Sequence, residues 1–265
     1  MKTSLWLIVK IELLKFFKRY DIFSVFAIVA VGIIYAVGMR DESYKGVENQ
    51  SALFWIVLQL LTATVLFISP VVNAFLGTQT LSSEIDNKSI SLYTIRVRNR
   101  KRLYLGKSIF LMLVSLVFFG FTLVVMFGVY MWIESSGSKF VSGTLFGNNS
   151  AELLCMLLLV YMYCFFLIPQ IALSLGVRMK PLTTIVVCFG LVVLFNHVMT
   201  YSFPKYFNPM GYIYGLAYGV LETVEPLDMD KAFVIRSVCL QICLCLFYYA
   251  IATIRGIKNF EKKEL

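Results

Sequence analysis

Six long apolar runs constrain this chain more than any other feature. They cover roughly Ile22–Met39, Leu53–Leu76, Ser108–Ile133, Leu153–Val177, Leu182–Tyr201 and Ala232–Ile254. A helix needs about 20 apolar residues to cross the hydrocarbon of a bilayer, and each run meets or approaches that length. Backbone N–H and C=O groups find no water there, so each run must satisfy them internally, as a helix does. A transmembrane barrel would show alternating segments of about ten residues, and no such alternation occurs. Composition agrees, because 59% of the residues are hydrophobic and only 15% charged, where soluble domains carry about a quarter. The expected fold is all-α: a polytopic membrane protein of six transmembrane helices, forming one domain over residues 1–265.

Charge sets the expected orientation. If the N-terminus is cytoplasmic, the inner segments hold Lys2, Lys10, Lys15, Lys18, Arg19, Lys88, Arg96, Arg98, Arg100, Lys101, Arg102, Lys107, Arg178, Lys180, Arg255, Lys258, Lys262 and Lys263. The outer segments collect acids such as Glu222, Glu225, Asp228 and Asp230. This is the positive-inside pattern, with both termini cytoplasmic. The net charge of +9 is thus a topology signal rather than a nucleic-acid footprint, which would gather on one soluble face.

Residues 1–20 form a separate element. On a helical wheel Trp6, Val9, Leu13, Phe16, Phe17 and Tyr20 share one side, and Lys10, Lys15, Lys18 and Arg19 lie opposite. That predicts a helix lying in the inner interface, its aromatics in the acyl boundary and its cations near anionic headgroups.

Chemistry-bearing motifs are sparse. Gly106-Lys107-Ser108 matches the end of a phosphate-binding P-loop, but the position of the first glycine holds Lys101 and no strand precedes it. Lys107 is expected instead to snorkel at the inner end of the third span. The single histidine, His197, stands beside Asn196 with no second ligand in view, which argues against a metal site or a proton relay. No Ser/His/Asp set or intramembrane carboxylate pair supports an intramembrane enzyme. All six cysteines lie in apolar runs and read as small buried side chains.

Polar residues inside the spans are the remaining signals. Gln59, Thr62, Ser69 and Asn73 share one side of the second span, with Pro70 as a break. They suit either a substrate-lining path or hydrogen bonding between helices, and Pro169-Gln170 in the fourth span suits the same two roles. Glu134–Ser150 reads as a polar, mobile outer loop, and residues 202–231 as an aromatic-rich outer loop or re-entrant segment. Residues 77–106 form the longest inner loop. Within it Leu81–Ile95 predicts a short amphipathic helix capped by Ser82 or Ser83, with Glu84 and Asp86 near its positive end. A basic run, Arg96–Arg102, follows.

The order of Glu84, Lys88, a Leu-rich stretch, a basic "RNR" and "GK" opening the next span resembles the membrane subunit of type 2 ABC exporters, over about Asn73–Ser108. Where that family has Gly-Thr, this chain has Lys88-Ser89, and Asn87 is expected to supply the left-handed turn. The resemblance implies a coupling helix that enters a groove on a separate cytoplasmic ATPase. Glu84, Ile85, Asp86, Lys88 and Ser89 would meet that partner. Arg98, Arg100, Lys101 and Arg102, with Lys107, would anchor the elbow at the inner lipid interface. It also implies no cofactor in this chain, with ATP and Mg held by the ATPase. A second membrane subunit, identical or a sister, would complete a half-transporter in a bacterial plasma membrane. Gln59, Thr62, Ser69 and Asn73 would border the path of a hydrophobic or amphipathic cargo such as a peptide, lipid or drug. The alternative is a membrane-embedded immunity or binding module that does not transport.

Overall fold

The computed structural model describes residues 5–41, 50–91, 93, 97, 99–138, 141–147, 149–198, 207–221 and 231–263. Arg98, 199–206, and 222–230 with their acids lie outside the described residues. Helix α1 (Leu5–Lys18) leads through a 3₁₀ turn at Tyr20–Ser24 into α2 (Val25–Asp41). There follow α3 (Ala52–Val65), α4 (Ile68–Asp86) and α5 (Arg100–Ser135). The fourth span joins α6 (Ser150–Val160), a π-helical turn at Tyr161–Leu167, and α7 (Ile168–Gly176). The chain closes with α8 (Pro181–Val198), α9 (Pro209–Leu221) and α10 (Lys231–Lys262). Among the described residues five helical stretches are long and apolar enough to cross a membrane, and the bent pair α3 and α4, taken as one span, makes a sixth. The protein is an all-α, multi-pass membrane protein.

The second span, expected over Leu53–Leu76 with Pro70 as a break, is two helices. α3 and α4 meet at a bend of 67°. Pro70 explains the position: it cannot donate to the carbonyl of Leu66, and its ring would clash there. α3 therefore closes with Leu66 N–H donating to the Thr62 carbonyl at 2.9 Å. Phe67 then takes a left-handed conformation, φ 62°, costing roughly 1–2 kcal/mol for a residue with a Cβ. Pro70 falls in the first turn of α4, where a helix needs no N–H. Pro169 produces a milder version of the same conflict, absorbed by the π turn before it.

The C-terminal half of α4 packs on α7 through small residues. A Cβ built on Gly77 would stand 2.3 Å from the carbonyl oxygen of Pro169, and one on Gly176 would stand 2.9 Å from Cβ of Ser82. Ser82 donates to the Met179 carbonyl at 2.8 Å. Replacing Gly77 by alanine gains about 1 kcal/mol of helix propensity, but the clash is with backbone and cannot swing aside. Overpacking of this kind costs about 1–3 kcal/mol. Gly77→Ala is therefore expected to lower the unfolding midpoint of the detergent-solubilised protein, and an unchanged or raised midpoint would show that the two helices can separate freely.

Several other expectations change. α4 continues to Asp86, so Ser82 and Ser83 are mid-helix and no new helix starts at Leu81; the Ser83 hydroxyl bonds back to the Gln79 carbonyl at 2.6 Å. Glu84 and Asp86 thus lie at the negative end of a helix, not its positive end. The turn beyond Asn87 (φ −80°) is made by Lys88 itself, φ 55°. The loop before α6, expected to be mobile, is tied down in part, since Ala52 N–H donates to the Thr144 carbonyl and Ser142 N–H to that of Gln50, at 2.9 and 3.0 Å. Part of the segment 202–231 is the helix α9, capped by Asn208, which accepts from Met210 N–H at 3.0 Å. Cys239 and Cys243 are exposed on α10 rather than buried, and all six cysteines are free thiols.

Candidate functional site

Glu84 stands in the last turn of α4, where the helix dipole opposes a carboxylate. It is nevertheless buried, its side chain only 2% exposed, so cations must hold it. Lys107, near the start of α5, supplies the first and is fully buried. Its ammonium donates to Glu84 Oε2 at 2.8 Å, to Glu12 Oε1 at 2.9 Å and to the Thr80 carbonyl at 2.7 Å. All three N–H bonds of the ammonium are used. Lys15 bridges the same two acids from the other side, 3.0 Å from Glu12 and 2.9 Å from Glu84. Arg19 reaches Glu84 at 3.2 Å and donates to the Gln79 carbonyl at 3.3 Å. Lys15 also sits 3.7 Å over the ring of Tyr93. Burial alone would lower its pKa, but the Glu12 and Glu84 carboxylates overcome that and hold it above the ordinary lysine value.

Two acids and three bases from α1, the residues after it, α4 and α5 therefore share one site. Its energetics are uneven. Arg19, at the rim with its side chain 37% exposed, contributes little, as exposed pairs do. Lys107, Glu12 and Glu84 are desolvated, so each is costly to leave unpaired. The backbone brings them together through Gly106: a Cβ there would lie 2.7 Å from Ile8 Cγ2. The glycine lets α1 rest directly on α5, and the next residue then reaches between α1 and α4.

Ser108 completes the triplet. Its hydroxyl donates to Gln170 Oε1 at 2.8 Å and lies 2.9 Å from the Tyr249 hydroxyl. Gln170 Nε2 donates to Thr253 Oγ1 at 2.9 Å and to the Tyr104 hydroxyl at 3.3 Å. Gly-Lys-Ser is thus a junction: the glycine admits α1, the lysine locks α1 and α4, and the serine engages α7 and α10. Gln170 thereby bonds α7 to both α5 and α10.

The residues expected at a partner surface divide. Glu84 faces inward, which corrects its assignment as a docking group, because the ion pairs consume both carboxylate oxygens. Ile85 and Ser89 are half-buried, Ser89 donating to the Glu84 carbonyl at 3.3 Å. Asp86 and Lys88, with Asn87 between them, form the exposed tip. Of the basic anchors, Lys107 does not snorkel. Arg100 does not face lipid alone either, since it caps the end of α10 by donating to the carbonyls of Glu261 and Lys263 at 3.1 and 2.6 Å. Lys101 is exposed and Arg102 half-buried.

The bend separates the polar seam into Gln59 and Thr62 on α3 and Ser69 and Asn73 on α4. Thr62 satisfies itself on the Leu58 carbonyl at 2.8 Å, and Asn73 Nδ2 donates to the Ser69 carbonyl at 2.9 Å. Gln59, Ser69 and Asn73 are fully buried within the one chain. Neither amide atom of Gln59 meets a partner among the described residues. Sequence reasoning missed Glu12. The signal was present: an acid between Val9 and Phe16 on the inward side of α1. α1 is also not one-sided. Val9 and Phe16 are buried, whereas Trp6 and Phe17 are exposed.

The site is thus a cluster of buried charge that joins α1, α4 and α5 within a multi-pass helical bundle. A family model described as ABC-2 family transporter protein matches residues 8–196. The chain belongs to that family, and the match takes in the whole ion cluster and the elbow. No curated protein and no solved structure matches it.

Proposed function

We propose that this chain is the membrane-spanning permease subunit of an ATP-driven exporter. A separate cytoplasmic ATPase holds ATP and Mg and docks on the elbow between α4 and α5. A second membrane subunit, a copy or a sister, faces it across the cargo path. Hydrophobic or amphipathic cargo leaves the cell, and both termini stay cytoplasmic. The observation that carries this reading is the buried ion cluster. It fixes the exposed tip Asp86–Asn87–Lys88 rigidly to α1 and α5, so a push on the tip moves helices rather than deforming a loop.

The test is co-purification from the native membrane in mild detergent. An ATPase is expected to come down with the chain, and its turnover is expected to change when the chain is removed. A preparation that binds an amphipathic ligand, carries no ATPase and shows no ATP-dependent transport would instead establish a binding or immunity module.

A further inference from the structure

Away from the ion cluster, at the same end of the bundle, a cavity of about 300 Å³ opens between the turn after α7 and the end of α10. Val177, Arg178, Asn259, Lys262 and Lys263 line it. Arg178 donates to Asn259 Oδ1 at 2.7 Å and Lys263 donates to the Val177 carbonyl. These bonds hold the walls, and the exposed Arg178 keeps N–H groups beyond the one given to Asn259. Lys262 has no partner among the described residues and is exposed. Asp86 is the acid that acts on Lys263, raising its pKa against the larger lowering by burial. Three cations around a cavity this size suit a phosphate oxyanion, which guanidinium and ammonium groups bind by charge-assisted hydrogen bonds.

The neighbouring helix indicates where the phosphate comes from. α8 begins directly after Arg178 and Lys180, and Leu182, Val186, Phe189 and Val193 are all exposed along it. Their spacing of three to four residues makes one apolar stripe that starts at the basic turn. Basic pockets between helix ends at the inner face take lipid headgroups. We propose that this pocket binds the phosphate of an anionic phospholipid, whose acyl chains lie along the α8 stripe.

The experiment is native mass spectrometry of the full chain with phosphatidylglycerol, phosphatidylcholine of matched chains, and inorganic phosphate. Phosphatidylglycerol should be retained in preference to phosphatidylcholine. Each cation removed near a headgroup should weaken retention roughly fivefold. Lys262→Gln should therefore lose about fivefold, and Lys262→Gln with Arg178→Gln about twenty-five-fold, with phosphatidylcholine unaffected. Lys262→Gln breaks no hydrogen bond of the fold, so its result stands even if the double variant misfolds. Equal retention of both lipids, or undiminished phosphatidylglycerol in Lys262→Gln, would overturn the proposal. So would complete displacement by excess inorganic phosphate, which would mark a free-anion site. None of these residues belongs to the elbow, so failure here leaves the exporter reading untouched.

Discussion

A Lys107→Met chain is expected to lose about 3–5 kcal/mol of stability, the cost of removing one partner from a buried ion pair. Methionine fills the space of the lysine stem. The loss therefore measures Glu12 and Glu84 left desolvated without the ammonium that both now share at 2.9 and 2.8 Å. Lys15 and Arg19 rescue this only in part, because they approach from the rim. A triple variant, Lys107→Met with Glu12→Gln and Glu84→Gln, removes the buried charge altogether. It should be markedly more stable than the sum of its single variants, by the coupling of up to about 3 kcal/mol that contacting residues show. Denaturant titration in micelles reads both. Strict additivity, or a near-neutral Lys107→Met, would mean that water reaches the cluster and that it does not lock the elbow.

The second large effect is functional. Exchanging the charges of the exposed tip, Asp86→Lys with Lys88→Glu, should abolish capture of the ATPase and its stimulation while leaving the unfolding midpoint nearly unchanged. Exposed substitutions usually cost within about 0.5 kcal/mol, whereas like charges brought together across an interface cost several. Lys88→Gly separates geometry from charge, because glycine accepts the φ of 55° without strain. If Lys88→Gly couples normally and the exchange does not, the reversed charges placed at the tip, not a change in the turn, break coupling. If the exchange variant still captures and responds to the ATPase, the tip is not the docking surface. Glu84→Lys would not answer this question. It would place a fourth cation among Lys15, Arg19 and Lys107 and destroy the fold of the elbow itself.

Much of the architecture was legible because hydrocarbon permits so few solutions. The spans follow from run length, and Gly106-Lys107 marked the right place for reasons a P-loop reading would miss. What the sequence hid was direction. A lysine at the end of a span can reach outward to headgroups or inward to acids on other helices, and only the partner helix decides. Glu12 was the cue for the inward choice, and it sits in a stretch whose aromatics drew attention to lipid instead. The helix placed at Leu81 failed for a related reason. Ser82, Ser83 and Glu84 look like a start signal, but nothing between Leu76 and Asn87 stops the preceding helix, so it continues. The seam on the second span assumed a straight axis, although the lost Pro70 donor already pointed to a break at Leu66.

That break has a mechanical meaning. The segment bearing Glu84 is clamped to its neighbours by the ion cluster, and the segment bearing Gln59 leaves it at 67°. One span thereby contains two levers with separate fulcrums. In the exporter proposed above, the arm bearing Gln59 would tilt about this bend while the arm bearing Glu84 stays seated.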